Sequence, residues 1–266
     1  MDYSLFFKAV ALGIIEGLTE FLPVSSTGHL ILAGEYLAFT RADAKTFEVV
    51  IQLGAILAVC WHFRVRLLGV ATTLGHASSA RRFVGNLLLA FLPVAVLGTA
   101  LHGFIKQVLY APQVVAWALI GGGLLILFIE RRAAPTQDYA VEDLSPLLAF
   151  KIGCAQALAL VPGVSRSGAT IMGALWLGVS RQSATEFSFF LAIPVMFAAT
   201  AFDILKSWQT LSPDSLPLFA VGLVAAFLSA LVAIRFLLHF VANHSFVAFA
   251  WYRIALGLLT LWWLGT

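Results

Sequence analysis

Apolar residues fall along this chain in long blocks. Six of them, about 47–62, 83–101, 114–129, 183–204, 216–239 and 246–264, are long enough to cross a bilayer as helices, which takes about 20 residues with some latitude. Two further apolar regions, about 4–38 and 147–178, are interrupted by Leu22-Pro23-Val24-Ser25-Ser26 and Val161-Pro162-Gly163-Val164-Ser165. Proline removes a backbone donor and drives its predecessor out of the helical region. Each flanking helix is then too short to span, and irregular backbone at membrane depth survives only where protein or water satisfies it. The pattern predicts an all-α polytopic membrane protein, a single domain over 1–266, with six spanning helices and two re-entrant helix–break–helix hairpins.

The chain repeats itself. A shift of 140 positions lays residues 11–34 on 151–174 without a gap, with Gly13/Gly153, Leu18/Leu158, Val24/Val164, Ser25/Ser165, Gly28/Gly168 and Ile31/Ile171 identical and Glu16 opposite Gln156. Both matched segments contain the break. Three spans separate the two hairpins, so the halves, about 1–130 and 141–266, are expected to enter the membrane from opposite sides. Inverted repeats of this kind build their sites near the midplane.

Composition agrees with lipid as the solvent. Of 266 residues 61% are hydrophobic and 11% charged, against about 25% charged in soluble domains. A net charge of +3 without a Lys/Arg-rich tract argues against nucleic acid. Cys60 and Cys154 lie in apolar runs and read as small core residues. The N-terminus has no basic stretch before its apolar run and soon meets Glu16 and Glu20, so residue 1 is expected in the mature chain. The loop 63–82 carries Arg64, Arg66, Arg81 and Arg82 and no acid, which places it on the cytoplasmic side. Alternation from there leaves only Arg41, Lys45, Lys106 and Lys206 outside, of which Arg41 and Lys45 count against the orientation.

The polar residues concentrate in the two breaks. Glu16 and Glu20 share one helix face at i, i+4; two such carboxylates in low dielectric need a cation or a shared proton. A divalent ion with oxygen ligands, Mg²⁺ or Ca²⁺, satisfies both. Glu20 taken singly is as well explained by a bond to backbone freed at the break; the pair favours function. Ser25-Ser26-Thr27-Gly28-His29 opens the next half-helix, whose free N–H groups attract anions. Ser26 and His29, at i, i+3, are expected to bring a hydroxyl beside a base, although a lone serine here is more often an N-cap. In the second break Gly163 and Gly168 let the backbone approach a ligand, and Arg166, opposite Ser26 in the repeat, has a planar fork suited to phosphate. Glu48 and Gln52 share a face of the first full span; Arg253, beside Tyr252 in the last, needs an acidic or carbonyl partner and reads as structural.

The segments Glu16-Gly17-Leu18-Thr19-Glu20-Phe21-Leu22-Pro23-Val24-Ser25-Ser26-Thr27-Gly28-His29 and Pro162-Gly163-Val164-Ser165-Arg166-Ser167-Gly168-Ala169-Thr170 resemble the two signature motifs of the undecaprenyl-diphosphatase (bacitracin-resistance) family. Thr46–Gly54, Glu186-Phe187-Ser188-Phe189 and Tyr252-Arg253 resemble it as well, and the likeness covers nearly the whole chain. It implies a multi-pass enzyme of the bacterial inner membrane, with its site toward the periplasmic or outer side. Such an enzyme hydrolyses undecaprenyl diphosphate with a divalent cation and recycles the carrier for cell-wall synthesis. The resemblance makes Glu16 and Glu20 the acidic, metal-holding motif, Ser26 the nucleophile, His29 a base or acid and Arg166 the diphosphate clamp. Ser25, Thr27, Ser165 and Ser167 become phosphate-contacting hydroxyls, and Gly163, Gly168 and Thr170 complete the substrate-binding set. The partners expected are a prenyl diphosphate and membrane lipid, with room for a homodimer. A transporter or lipid flippase using the inverted repeat is the alternative; a purely structural subunit leaves Glu16, Glu20 and Arg166 unexplained.

Overall fold

The computed structural model describes residues 3–40, 43–132, 138–207 and 215–265. Met1, Asp2 and Arg41 lie outside them, as do the side chains of Lys106 and Lys206. Helices make up the described chain: α1 (Tyr3–Thr19), α2 (Ser26–Tyr36), α3 (Ala44–His62), α4 (Arg64–Thr73), α5 (Ser78–Ala100), the single turn α6 (His102–Phe104), α7 (Pro112–Arg132), α8 (Pro146–Gln156), α9 (Arg166–Trp176), α10 (Arg181–Ser207), α11 (Leu216–Val241) and α12 (Val247–Gly265). Among the described residues six helices, α3, α5, α7, α10, α11 and α12, are long and apolar enough to cross a membrane.

The predicted spans differ from these mainly at their ends. α5 begins at Ser78, not near 83, and takes Arg81 and Arg82 into its first turns; long basic side chains let a helix continue past the apolar block because their charged heads reach water. The 63–82 segment, expected as a loop, is half taken up by α4, which buries none of its residues.

Small residues set the packing. Without a hydrophobic drive between helices in lipid, close approach depends on residues that admit a neighbouring backbone. A Cβ on Gly13 would stand 2.5 Å from the Gly222 carbonyl oxygen, so α1 seats directly on α11. A Cβ on Gly153 would stand 2.2 Å from the Ala90 carbonyl oxygen, so α8 seats in the same manner on α5. α7 and α12 close together over Gly123 and Gly257.

One end of the bundle is stapled by ions. Arg66 on α4 grips the Glu142 carboxylate at 2.6 and 2.7 Å and reaches Glu186 on α10 at 2.7 Å. Arg82 binds Asp143 and the Glu142 carbonyl, Asn86 donates to the Leu144 carbonyl at 2.7 Å, and Arg181 binds Glu130. The other end carries Lys8 beside the Ala38 carbonyl at 3.4 Å and Ser215 donating to Asp43 at 2.5 Å.

Candidate functional site

Both breaks close on the same local device. The residue just before each second helix, Ser25 and Ser165, holds a left-handed backbone, φ 72° and 75°, and caps that helix by accepting from the Gly28 and Gly168 amides at 3.3 and 3.1 Å. Non-glycine residues reach this region at a cost and persist there where surroundings enforce them. The consequence is directional: Ser26 and Arg166 become the first residues of α2 and α9, at the end where free N–H groups gather.

The breaks touch each other. Ser167 donates to the Leu22 carbonyl at 2.9 Å and to the Glu20 carbonyl at 3.3 Å. Arg253, 1% exposed, reaches up from α12 and spends its guanidinium on five backbone carbonyls: Leu119 and Ala118 of α7, Pro23 of the first break, and Gly163 and Val164 of the second, at 2.9–3.4 Å. Three are carbonyls that the breaks remove from helical pairing. The expected carbonyl partner for Arg253 is thus found, and the residue ties both breaks to the bundle.

Where the breaks meet, three side chains form a chain of contacts. Ser26 Oγ donates to Glu20 Oε2 at 2.5 Å, in the range of a hydroxyl bonded to an ionised carboxylate. Glu20 Oε1 accepts from Arg166 Nε at 3.3 Å, and Arg166 Nη1 donates to the Ser188 carbonyl at 3.0 Å. Beside them lie buried polar atoms with no hydrogen-bond partner: both oxygens of Glu16, Arg166 Nη2, Gln156 Nε2 and Ser188 Oγ. Isolated buried polar groups are costly, and unpaired ones in a native site are accounted for by a catalytic role, a water, a ligand or an ion. Here the donors Arg166 and Gln156 suit an anion, and the Glu16 carboxylate suits a cation.

A cavity of about 570 Å³ opens over this chain, within the range of small-ligand sites. Glu20, Ser25, Ser26, Gln156, Ser165 and Arg166 line its polar floor. Most of its remaining wall is apolar, from α5 (Phe91, Val94, Ala95) and α10 (Val195, Met196, Phe202), and it runs toward Tyr110 and Asp203, away from the ion-stapled end. Thr27, Gly163 and Gln52 also face it.

Several predicted site residues stand elsewhere. Ser167 is fully buried and commits its hydroxyl to the opposite break. Thr170 donates to the Arg166 carbonyl at 2.8 Å, and Gly168 packs 3.1 Å (as its would-be Cβ) from Arg253. These three shape the floor from beneath. The expected meeting of Ser26 and His29 does not occur: Ser26 turns to Glu20, while His29 turns to the Ser25 carbonyl and to Tyr252. A shared helix face brings two side chains near, and the stronger acceptor on another element then decides the rotamer. Among the described residues no group of three or more His, Cys, Asp or Glu side chains is placed to hold a metal ion. Sequence reasoning underrated Gln156 and Tyr252; the signals present were a polar residue opposite Glu16 in the repeat and a Tyr-Arg pair inside an apolar span.

The model of the family described as "Bacitracin resistance protein BacA" matches residues 9–259. A protein of Laribacter hongkongensis called undecaprenyl-diphosphatase is 55% identical over 267 residues, covering 100% of this chain and 98% of that protein. Proteins with the same name from Methylobacillus flagellatus and Nitrosospira multiformis are 54% and 57% identical, each over 98% of this chain and over 98% and 96% of their own lengths.

Proposed function

The chain belongs to the bacitracin resistance protein BacA family, and on that premise we propose that it hydrolyses undecaprenyl diphosphate to undecaprenyl phosphate and inorganic phosphate. The observation that carries the chemistry is the contact chain Ser26–Glu20–Arg166 at the junction of two helix N-termini, under a cavity whose other wall is mostly apolar. The diphosphate occupies the polar floor, and the first prenyl units run along α5 and α10 toward lipid.

Arg166 binds the terminal phosphate through the edge that lacks a protein partner, Nη2, and the amides at the starts of α2 and α9 add fixed positive dipoles. Ser26, or a water held in its place, attacks the terminal phosphorus in line. Its proton passes to Glu20 Oε2, to which it is already bonded. The bond to the bridging oxygen breaks and the lipid monophosphate departs; if Ser26 has attacked, water then releases phosphate from it. Placement and charge stabilisation supply most of the acceleration, as in phosphoryl transfer generally. The Glu16 carboxylate beside Glu20 has neither oxygen hydrogen-bonded and fits a divalent cation; Glu16, with Glu20 next to it, would hold an oxygen-seeking ion such as Mg²⁺ or Ca²⁺. When bound, that ion neutralises charge on the diphosphate.

We also read the two broken helix pairs as re-entrant hairpins of an inverted repeat. Support comes from the matched φ of Ser25 and Ser165, the parallel seating of Gly13 and Gly153, and the placement of one hairpin's ends near Lys8–Ala38 and of the other's near Asn86–Leu144. With the arginine-stapled end cytoplasmic, the cavity opens toward the outer face of the inner membrane.

Phosphate release from a prenyl diphosphate by purified protein in detergent tests the function, because hydrolysis needs no compartment and transport does. Wild type should release phosphate and lose activity with a chelator. Arg166→Ala should fold normally and lose roughly 10³-fold, the scale of a removed charge stabiliser. Absence of release by the wild type would overturn the reading; near-normal turnover by Arg166→Ala would overturn the clamp.

A further inference from the structure

His29 has no free nitrogen with which to serve as the base. Its Nδ1 lies 2.7 Å from the Ser25 carbonyl oxygen. A carbonyl only accepts, so Nδ1 carries the proton. Its Nε2 lies 2.6 Å from the Tyr252 hydroxyl, and the two rings run parallel, 3° between planes with centroids 5.6 Å apart. With Nδ1 protonated, a neutral ring accepts from Tyr252 through Nε2. Both edges of the imidazole are thereby occupied, and neither partner is Ser26. His29 is also absent from the cavity wall that Ser26, Glu20 and Arg166 line.

What the imidazole does hold is the peptide on which the nucleophile depends. The Ser25 carbonyl belongs to the residue at φ 72°, immediately before Ser26. Its other acceptance, from the His29 amide, is long at 3.3 Å. The corresponding bond in the second break, Ala169 amide to Ser165 carbonyl, is 2.9 Å with no imidazole present. The left-handed cap therefore forms without a histidine. The half that carries Ser26 adds one, anchored from 223 residues away on α12.

We propose that His29 and Tyr252 form a positioning pair: the imidazole, locked by the Tyr252 hydroxyl, fixes the Ser25 carbonyl and so aims Ser26 at Glu20, which takes the proton. The inference rests on the phosphate-release reading above. It concerns orientation, and it gives the tyrosine of the last span a part in the reaction that no contact with substrate requires.

Substitutions that keep one edge of the ring separate the roles. Asn at 29 can restore a donor at the place of Nδ1, whereas Gln reaches the place of Nε2 and leaves the Ser25 carbonyl without one. His29→Asn should keep kcat within about tenfold of wild type, and His29→Gln and His29→Ala should fall to the roughly 10²–10⁴-fold loss otherwise expected for a missing base. Tyr252→Phe should lower kcat severalfold at unchanged KM. The acid limb of kcat/KM should be the same in wild type and His29→Asn. A His29→Asn enzyme as inactive as His29→Ala, with a displaced acid limb, would establish His29 as the base and overturn the proposal. A second readout stands apart from activity: ¹⁵N-histidine NMR of the whole protein in detergent should show the Nδ1–H tautomer for His29, with its Nε2 resonance moving in Tyr252→Phe. The Nε2–H tautomer, or no response to Tyr252→Phe, overturns it even if no phosphate is released. Failure of wild type to release phosphate, with the tautomer as expected, sinks the hydrolase reading and leaves the pair standing.

Discussion

A single side chain, Arg253, carries much of the organisation of the site. Hydrogen bonds to charged groups are worth about 1.5–3 kcal/mol each, and buried carbonyls left unpaired cost a comparable amount. Arg253→Lys keeps the charge but loses the planar fork that reaches Pro23, Gly163 and Val164 together. Its unfolding temperature in detergent should drop by about 5–10 °C, given roughly 2–4 °C per kcal/mol for a chain of this size. Gly122→Ala tests the same arrangement from the other side, because its Cβ would lie 2.0 Å from Arg253 Nη2. It should reproduce the loss without altering a polar group; an unchanged unfolding temperature in both variants would show the tie to be dispensable. At this scale the sequence disclosed residue types better than rotamers. Glu20, Ser26 and Arg166 could be singled out from spacing and cost of burial, whereas the turning of His29 toward Tyr252 depends on α12, which no local spacing specifies.

Among the elements, the turn Val141–Asp143 ahead of α8 is held by charge where the spans are held by small residues. Glu142 takes two hydrogen bonds from Arg66, which hold its carboxyl below the usual carboxylate range, and the same bonds raise Arg66. A depressed carboxylate stabilises fully above its ordinary value near 4.5 and loses that contribution as pH falls through its lowered folded value. Wild type should therefore lose about 2–4 °C in unfolding temperature as the pH is taken down below that ordinary value, beyond any loss in Glu142→Gln, a modest figure because the pair is partly solvated. Parallel acid profiles for the two proteins would rule out this contribution. The spans themselves were legible because length and hydropathy alone define them in lipid. α4 was not: its exposed faces carry no periodic apolar stripe, and it is held instead by Arg66 reaching Glu142 and Glu186, far off in sequence.

For the molecule as a whole, the proposed orientation places α4 inside and the α2–α3 connection outside. With Cys60 and Cys154 replaced by Ala, a cysteine at Glu35 should react with an impermeant thiol reagent on intact cells, and one at Thr72 only after the membrane is opened. Labelling of both from one side would invert or abolish the arrangement. The proposed repeat rests on six identities and a shared break, and the two left-handed serine caps fall in that register. The aligned segments differ in content, with Glu16 opposite Gln156 and Ser26 opposite Arg166. What the alignment could not disclose is the joining of the two breaks by Arg253, a residue outside the matched segments. That joining has a consequence for biosynthesis. α12 is the last of the described helices to be made, and until it arrives Pro23, Gly163 and Val164 lack the guanidinium that satisfies them. The ribosome thus completes the site only once α12 has been made. A nascent chain halted in the membrane holds every acid, hydroxyl and amide of the pocket and still cannot set them in place.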